Sequence, residues 1–199
     1  MNLESAVLVV LGVAGCLWGA RLVYRWLYEF AYRTAGDVLA FLVEVDMEAL
    51  NGTFHPEAEA NLRQSLPAAE FRTVQWKRFH LAIHYCNKLA HNARVFQGWT
   101  KYERKQSWDG MAWGLQKTVQ ELRIACTQCR LSTFVIKTRL HWWLARARLL
   151  PFLPLPSFET LLQSGSADMI SFYERVKQLA ELFSLAYGEE YHDKLMQAL

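Results

Sequence analysis

An unbroken heptad repeat places the strongest constraint on what this chain can fold into. Ten residues follow one another at alternating steps of four and three: Leu115, Val119, Leu122, Cys126, Cys129, Thr133, Ile136, Leu140, Trp143 and Ala147. Residues at these steps share one face of an α-helix, and more than four heptads in one register are typical of a long helix packed against other helices. We therefore expect one helix of about 40 residues, ended by the prolines that begin at Pro151.

Three other stretches show shorter versions of the same periodicity. Apolar residues recur at steps of three and four within residues 31–49, 76–93 and 169–187. The chain has only ten Gly and five Pro, and it lacks the alternating pattern of strands, which disfavours an all-β fold. The predicted fold class is all-α, with an N-terminal transmembrane helix followed by an antiparallel bundle of long heptad-patterned helices.

Local breakers predict where these helices begin and end. Because Asn and Gly tolerate positive φ, and Pro suits the first turn of a helix, we use them as boundary markers. The expected boundaries are a stop at Asn51-Gly52, a loop with a short helix over residues 53–66, a start after Pro67, an end near Gly98, and a last start near Ser166 or Asp168.

The N-terminal region predicts a membrane anchor. Residues 5–20 contain no charged side chain, and Arg21, Arg25 and Trp26 follow at the position where such side chains reach lipid headgroups. Residues 4–24 therefore suit one membrane-spanning helix. This gives two predicted regions, a membrane anchor with a juxtamembrane helix over residues 1–33 and a helical bundle domain over residues 34–199.

Three other interpretations of the N-terminal segment stay open. Val13-Ala14-Gly15-Cys16 resembles a bacterial lipobox, which would make Cys16 a lipidated residue. A cleaved signal and a core helix of a soluble protein are the other two. The segment has no basic leader, which a secretory signal needs, and this favours the retained anchor. Since Arg21, Arg25 and Arg33 follow the segment, the positive-inside rule predicts a single-pass protein with a cytoplasmic C-terminal domain.

Charge alternates along the chain in blocks. There are seven acids and one base in residues 37–70, eight bases and one acid in residues 72–105, seven bases and one acid in residues 117–148, and seven acids and three bases in residues 157–199. Arg123, Arg130 and Lys137 recur every seven residues beside the heptad positions, where charged side chains select a partner helix. We expect basic inner helices to pair with acidic outer ones.

The end of the long heptad helix has the composition of a membrane border. The predicted contact residues there are Arg139, Trp142, Trp143, Arg146 and Arg148. Basic and aromatic side chains in this arrangement suit anionic lipid headgroups or a protein partner. Nucleic-acid binding through the basic residues 72–148 is a weaker interpretation, because the same charge is what a membrane-facing surface needs.

Two histidines suggest a metal site as an alternative. His80 and His84 lie one helical turn apart, the spacing at which two imidazoles can hold one ion. A third ligand would have to come from an acidic residue on another helix, such as Glu44, Asp46 or Glu48. The favoured interpretation is that these are surface histidines, and no other cofactor is expected.

Cys126 and Cys129 form a C-x-x-C pair, but both fall on the heptad face in the middle of the predicted helix. A redox pair belongs at a helix N-terminus, where the helix dipole lowers the thiol pKa, and a zinc site needs further ligands. We therefore interpret both as core cysteines.

No catalytic motif accompanies these features. The sequence predicts a single-pass, membrane-anchored helical bundle that acts as an interaction or scaffolding module, and homo-oligomers are compatible with it. The alternative is a metal-dependent enzyme or metal-binding protein that uses His80 and His84.

Overall fold

The computed structural model describes residues 17–19, 21, 32–106, 108–150, 156–161 and 167–199. All regular elements in this part of the chain are helical, and the predicted all-α class is confirmed. The chain divides into two compact units, Met1–Tyr32 and Arg33–Leu199.

In the first unit, Leu17–Gly19 and Arg21 are helical. The rest of the predicted membrane span, together with Cys16, Arg25 and Trp26, lies outside the described residues. Among the helices of the described part, none combines the length and the apolarity that a membrane crossing requires.

The second unit contains eight α-helices in its described residues. They are α1 (Ala35–Phe41), α2 (Met47–Phe54), α3 (Pro56–Ser65), α4 (Ala68–Gln106), α5 (Trp113–Leu149), α6 (Phe158–Leu161), α7 (Ala167–Ser184) and α8 (Glu189–Ala198). Two short 3-10 turns, Trp108–Gly110 and Leu185–Tyr187, follow α4 and α7.

Helix α5 is the centre of a helical bundle, because both α4 and α7 pack along it. Helices α4 and α5 run antiparallel: Lys137 Nζ donates to Asn87 Oδ1 at 2.5 Å, and Arg72 Nη2 donates to the Ala147 carbonyl at 3.4 Å. The short connection between the two long helices has the length expected of antiparallel neighbours.

The heptad prediction is confirmed for the length and the buried face of α5. The helix has 37 residues, and its heptad positions from Val119 to Leu140 are all buried. They pack in one core with apolar residues of α4 and α7, including Phe79, Leu89 and Val176. Burial of each large apolar side chain stabilises the fold by roughly 1.5–3 kcal/mol.

The expectation of one helix over residues 31–49 is wrong, because the chain leaves the helical path between α1 and α2. The buried amide of Asn92 accepts a hydrogen bond from Val43 N at 3.0 Å and donates one to Val43 O at 2.7 Å. This pairing satisfies backbone groups that a helix would otherwise use. Asp46 then caps α2 by accepting a hydrogen bond from Ala49 N at 2.9 Å.

Two predicted helix ends are also displaced. Helix α2 continues through Asn51-Gly52 to Phe54 and stops two residues before Pro56, which holds His55 extended. Helix α4 continues past Gly98 to Gln106. The residues from Val95 to Thr100 are all buried, so packing outweighs the weak helix propensity of one glycine.

The last predicted helix ends earlier than expected and is followed by another. Helix α7 stops at Ser184, and Gly188 then takes a φ of 96°, a conformation that glycine adopts at little cost. This turn brings Tyr187 and Tyr191 against Trp99, with ring centroids 5.4 and 5.9 Å away. The fully buried Trp99 thereby joins α4 to the C-terminal segment.

Candidate docking face on helix α5

Helix α5 carries apolar side chains on two opposite faces. The inner face holds the buried heptad positions. A second set of large apolar side chains is exposed, and we call it the outer face: Trp113, Ile124, Leu131, Phe134, Val135, Trp142 and Leu149. At 100° per residue, most of these positions lie about 180° around the helix from the heptad face. Trp113 is 81% exposed and Trp142 is 68% exposed.

The outer face is a ridge that runs the length of the helix. Its first and last members are the end residues of α5, so it is roughly 55 Å long at 1.5 Å per residue. Core side chains of α4 and α7 pack with the buried heptad positions on the inner side of α5, and the exposed side of a single helix is convex. Lys117, Gln120 and Glu121 separate Trp113 from the other members, which follow one another at short spacing from Ile124 to Leu149. Clustered exposed apolar side chains of this kind mark interaction sites more often than isolated exposed residues do.

Basic side chains line one edge of the outer face. Lys117, Arg139 and Arg146 are exposed and, at 100° per residue, share one side of the outer face; Arg139 and Arg146 lie beside Val135 and Trp142. The single acid of α5, Glu121, forms ion pairs with Lys117 at 3.9 Å and with Arg175 of α7 at 3.7 Å. Of the six further bases between Arg123 and Leu149, Arg139 and Arg146 lie on this edge, and this part of the helix contains no acid, so the edge is electropositive toward the C-terminal end of α5.

The basic stripe from Arg123 to Lys137 faces α4, which is itself a basic helix. Buried Arg130 donates to Gln97 Oε1, and Lys137 donates to Asn87. Burial lowers the pKa of Arg130 to about 10, and the nearby Arg94 acts in the same direction. The sequence predicted that acidic helices would pair with this stripe. The observed contacts are instead with side-chain amide oxygens of the basic helix α4. Amides accept from a buried guanidinium without placing a second charge in the core.

The five residues predicted as contact residues at the end of α5 lie on different sides of the helix. Arg139, Trp142 and Arg146 are exposed and lie on or beside the outer face. Trp143 instead packs inward, with its ring centroid 5.6 Å from that of Phe79, because it occupies a heptad position. Arg148 lies over the ring of Trp76 on α4, 5.5 Å from its centroid. Of the N-terminal contact residues, Arg21 is exposed.

Most of the outer face was missed by the sequence prediction. The overlooked residues are Trp113, Ile124, Leu131, Phe134 and Val135. A second set of seven-residue steps carried the signal, since Ile124 precedes Leu131 by seven and Val135 precedes Trp142 by seven. The longer heptad pattern lies on the inner face of the same helix, and the prediction was based on that pattern alone.

The two histidines proposed as metal ligands are exposed on α4. The ring of His80 lies 5.7 Å from that of Trp76, and the ring of His84 lies 6.2 Å from that of Tyr85. In the described part of the chain, no three His, Cys, Asp or Glu side chains form a group that could hold a metal ion. The metal hypothesis therefore lacks the third ligand that it requires among these residues.

The three described cysteines are buried in the core, as predicted for the C-x-x-C pair. Burial raises the pKa of the Cys86 and Cys129 thiols to about 12 and also raises that of Cys126. Cys86 Sγ lies 3.7 Å from Met169 Sδ, which places α7 against the same cluster. Because the thiolate is the reactive form, these thiols are chemically inert at neutral pH.

Comparison with known proteins returned no relative. No family model matches the chain, and no curated protein or solved structure matches it.

Proposed function

We propose that this protein is a single-pass, membrane-anchored helical bundle that acts as an interaction module. Residues 4–24 hold it in the membrane, and the domain from residue 34 onward binds through the outer face of α5. One observation carries the proposal: seven large apolar side chains are exposed along a helix whose other face is fully packed. Apolar surface that the fold itself does not bury is available to bind a partner molecule or a membrane.

The proposed location rests on the sequence of the first 33 residues. An uncharged stretch followed by Arg21, Arg25 and Arg33 favours an anchor with the domain on the cytoplasmic side. Trp26 would sit at the headgroup level beside the first two arginines.

Extraction of membranes at alkaline pH tests the anchor. The full chain should stay in the membrane pellet, and Val13→Arg should move it to the supernatant, because a charge at the centre of a spanning helix is costly. Val74→Arg on α4 is the matched control, since it adds the same charge outside the segment and should leave the protein in the pellet. Release of the wild-type chain would contradict the anchor.

Protease protection tests the orientation. Protease added to intact cells should leave the domain after Arg33 uncut, and permeabilised cells should lose it. Cleavage from outside would contradict the cytoplasmic location. Labelling with a radioactive fatty acid separates the lipobox interpretation, since only a lipidated protein would lose the label on Cys16→Ser.

A further inference from the structure

We propose that the outer face of α5 lies on an anionic lipid leaflet, with its apolar ridge at the boundary between headgroups and acyl chains. This inference rests on the proposed function and names the partner of that site. It assigns the whole length of α5, from Trp113 to Leu149, to the lipid surface, and therefore extends well beyond the basic end of the helix.

The charge of the helix favours an anionic surface. Lys117, Arg139 and Arg146 lie along the edge of the ridge, and the one acid of α5 is already paired with bases. Each Lys or Arg close to an anionic leaflet strengthens binding by about fivefold. Lys117 already has Glu121 as a counterpart, but a neutral apolar partner would offer no opposite charge to Arg139 and Arg146.

The shape of the face favours a flat partner. A convex ridge roughly 55 Å long can lie along a planar leaflet, whereas a globular protein partner would need a complementary groove of that length. Trp113 and Trp142, the two tryptophans among these seven side chains, lie near opposite ends of the ridge. Indole rings favour the level of the headgroups, where their apolar body and N–H group are both satisfied.

The same charges disfavour a second copy of this chain on the ridge. A symmetric pair of α5 helices would bring the basic edge of one copy close to that of the other, and like charges at such flanking positions repel. An acidic amphipathic helix from another protein is the remaining competitor, and the experiment below separates it from lipid.

A depth measurement on the full chain tests the proposal. Leu131→Cys is labelled with a small fluorophore in a Cys16→Ser background, and the protein is placed in bilayer discs whose acyl chains carry a bromine quencher. Cys86, Cys126 and Cys129 are buried and should not react. Leu81→Cys on α4 is the matched control, because Leu81 is 43% exposed and Leu131 is 42% exposed. Leu81 lies about 120° around α4 from Asn87, which faces α5.

With about one phosphatidylserine in three lipids, the label at position 131 should be quenched at least severalfold more than the label at position 81. Quenching at position 131 should weaken in high salt and in discs of phosphatidylcholine alone. Equal quenching at the two positions would overturn the proposal. So would a label at position 131 that stays in water while the protein remains in the disc, the result expected if an acidic helix or a second copy were the occupant.

Removing one charge from the basic edge tests whether that edge contributes to lipid docking. Arg139→Gln should lower the ratio of docked to undocked protein about fivefold, and Lys77→Gln on α4 should leave the ratio unchanged. An equal effect of both substitutions would overturn the role of the basic edge. The anchor itself is tested separately by alkaline extraction, so a chain that is anchored but not docked would contradict this inference and leave the anchor intact.

Discussion

The inner and outer faces of helix α5 both carry large apolar side chains, but their surroundings are opposite. On the inner face, Leu122, Ile136 and Leu140 are fully or almost fully buried against α4 and α7. On the outer face, Ile124, Leu131 and Trp142 belong to the same helix and remain exposed. The contrast teaches that hydrophobicity alone does not determine which side of a helix builds the core. The inner face stabilises the fold, and the outer face is available to bind a membrane or another molecule.

The largest expected effect comes from the same substitution made on both faces. Leu122→Ala should lower the free energy of unfolding by about 3 kcal/mol, because it leaves a cavity in a packed core. Leu131→Ala should change it by less than about 0.5 kcal/mol, since its side chain is already in contact with solvent. Thermal unfolding followed by circular dichroism measures both. Equal losses would mean that the outer face is part of the fold.

A smaller contrast is expected between two arginines of the same helix. Arg130 is buried and donates to Gln97, so Arg130→Ala should cost on the order of 1–3 kcal/mol by leaving a buried acceptor poorly satisfied. Arg139 is exposed, and Arg139→Ala should be nearly neutral for folding. Denaturant titration of both variants checks this. A destabilised Arg139→Ala would show that the basic edge supports the fold rather than docking.

Alkaline pH should lower the free energy of unfolding by ionising groups buried against the inner face. The folded-state pKa values of Cys86 and Cys129 are raised from 9.0 to about 12 by burial, and that of Tyr173 is raised from 10.0 to about 12. Groups with raised pKa values keep their protons up to a higher pH in the folded state than in the unfolded state. Their stabilisation is complete below pH 9.0 and falls as pH rises toward about 12.

The pKa of Arg130 is lowered to about 10, so above that pH its contribution runs in the opposite direction. The decline should therefore be clearest between pH 9 and 10. Denaturant unfolding on either side of pH 9.0 measures it, and Cys129→Val should flatten the slope. A stability that rises across this range would contradict the burial of the thiols.

The smallest effect is expected at the exposed histidines of α4. His80→Ala combined with His84→Ala should change the free energy of unfolding by less than about 0.5 kcal/mol, as for other surface positions. Elemental analysis of the purified protein should give the same metal content for the wild type and the double variant. A stoichiometric metal that disappears in the double variant would revive the metal hypothesis.

Local periodicity was sufficient to predict the long helices α4 and α5, the start of α7 and the buried heptad face of α5. It was insufficient where a distant side chain decides the backbone path. The break between α1 and α2 depends on Asn92, which lies 49 residues from Val43 and binds its backbone N–H and carbonyl. No pattern within residues 31–49 encodes that contact. Likewise, Gly98 lies inside α4 because tertiary packing outweighs its local propensity.

The candidate site was only partly predictable for a related reason. Trp142 and Arg146 were found from their composition, but periodicity alone does not state which apolar stripe of a two-faced helix is buried. Trp143 was assigned to the surface although it is also a heptad residue, and it packs against Phe79. The contacts of α4 and α7 were needed to identify Leu131 and its neighbours as exposed.

Oxidation of the tryptophans tests most directly whether the outer face is a lipid-docking surface. The full chain in bilayer discs is exposed briefly to hydroxyl radicals, and mass spectrometry gives the oxidation of Trp113, Trp142 and the buried Trp99. In discs containing phosphatidylserine, oxidation of Trp113 and Trp142 should fall toward that of Trp99, and in phosphatidylcholine discs it should stay high. Equal, high oxidation of Trp113 and Trp142 in both kinds of disc would contradict the account.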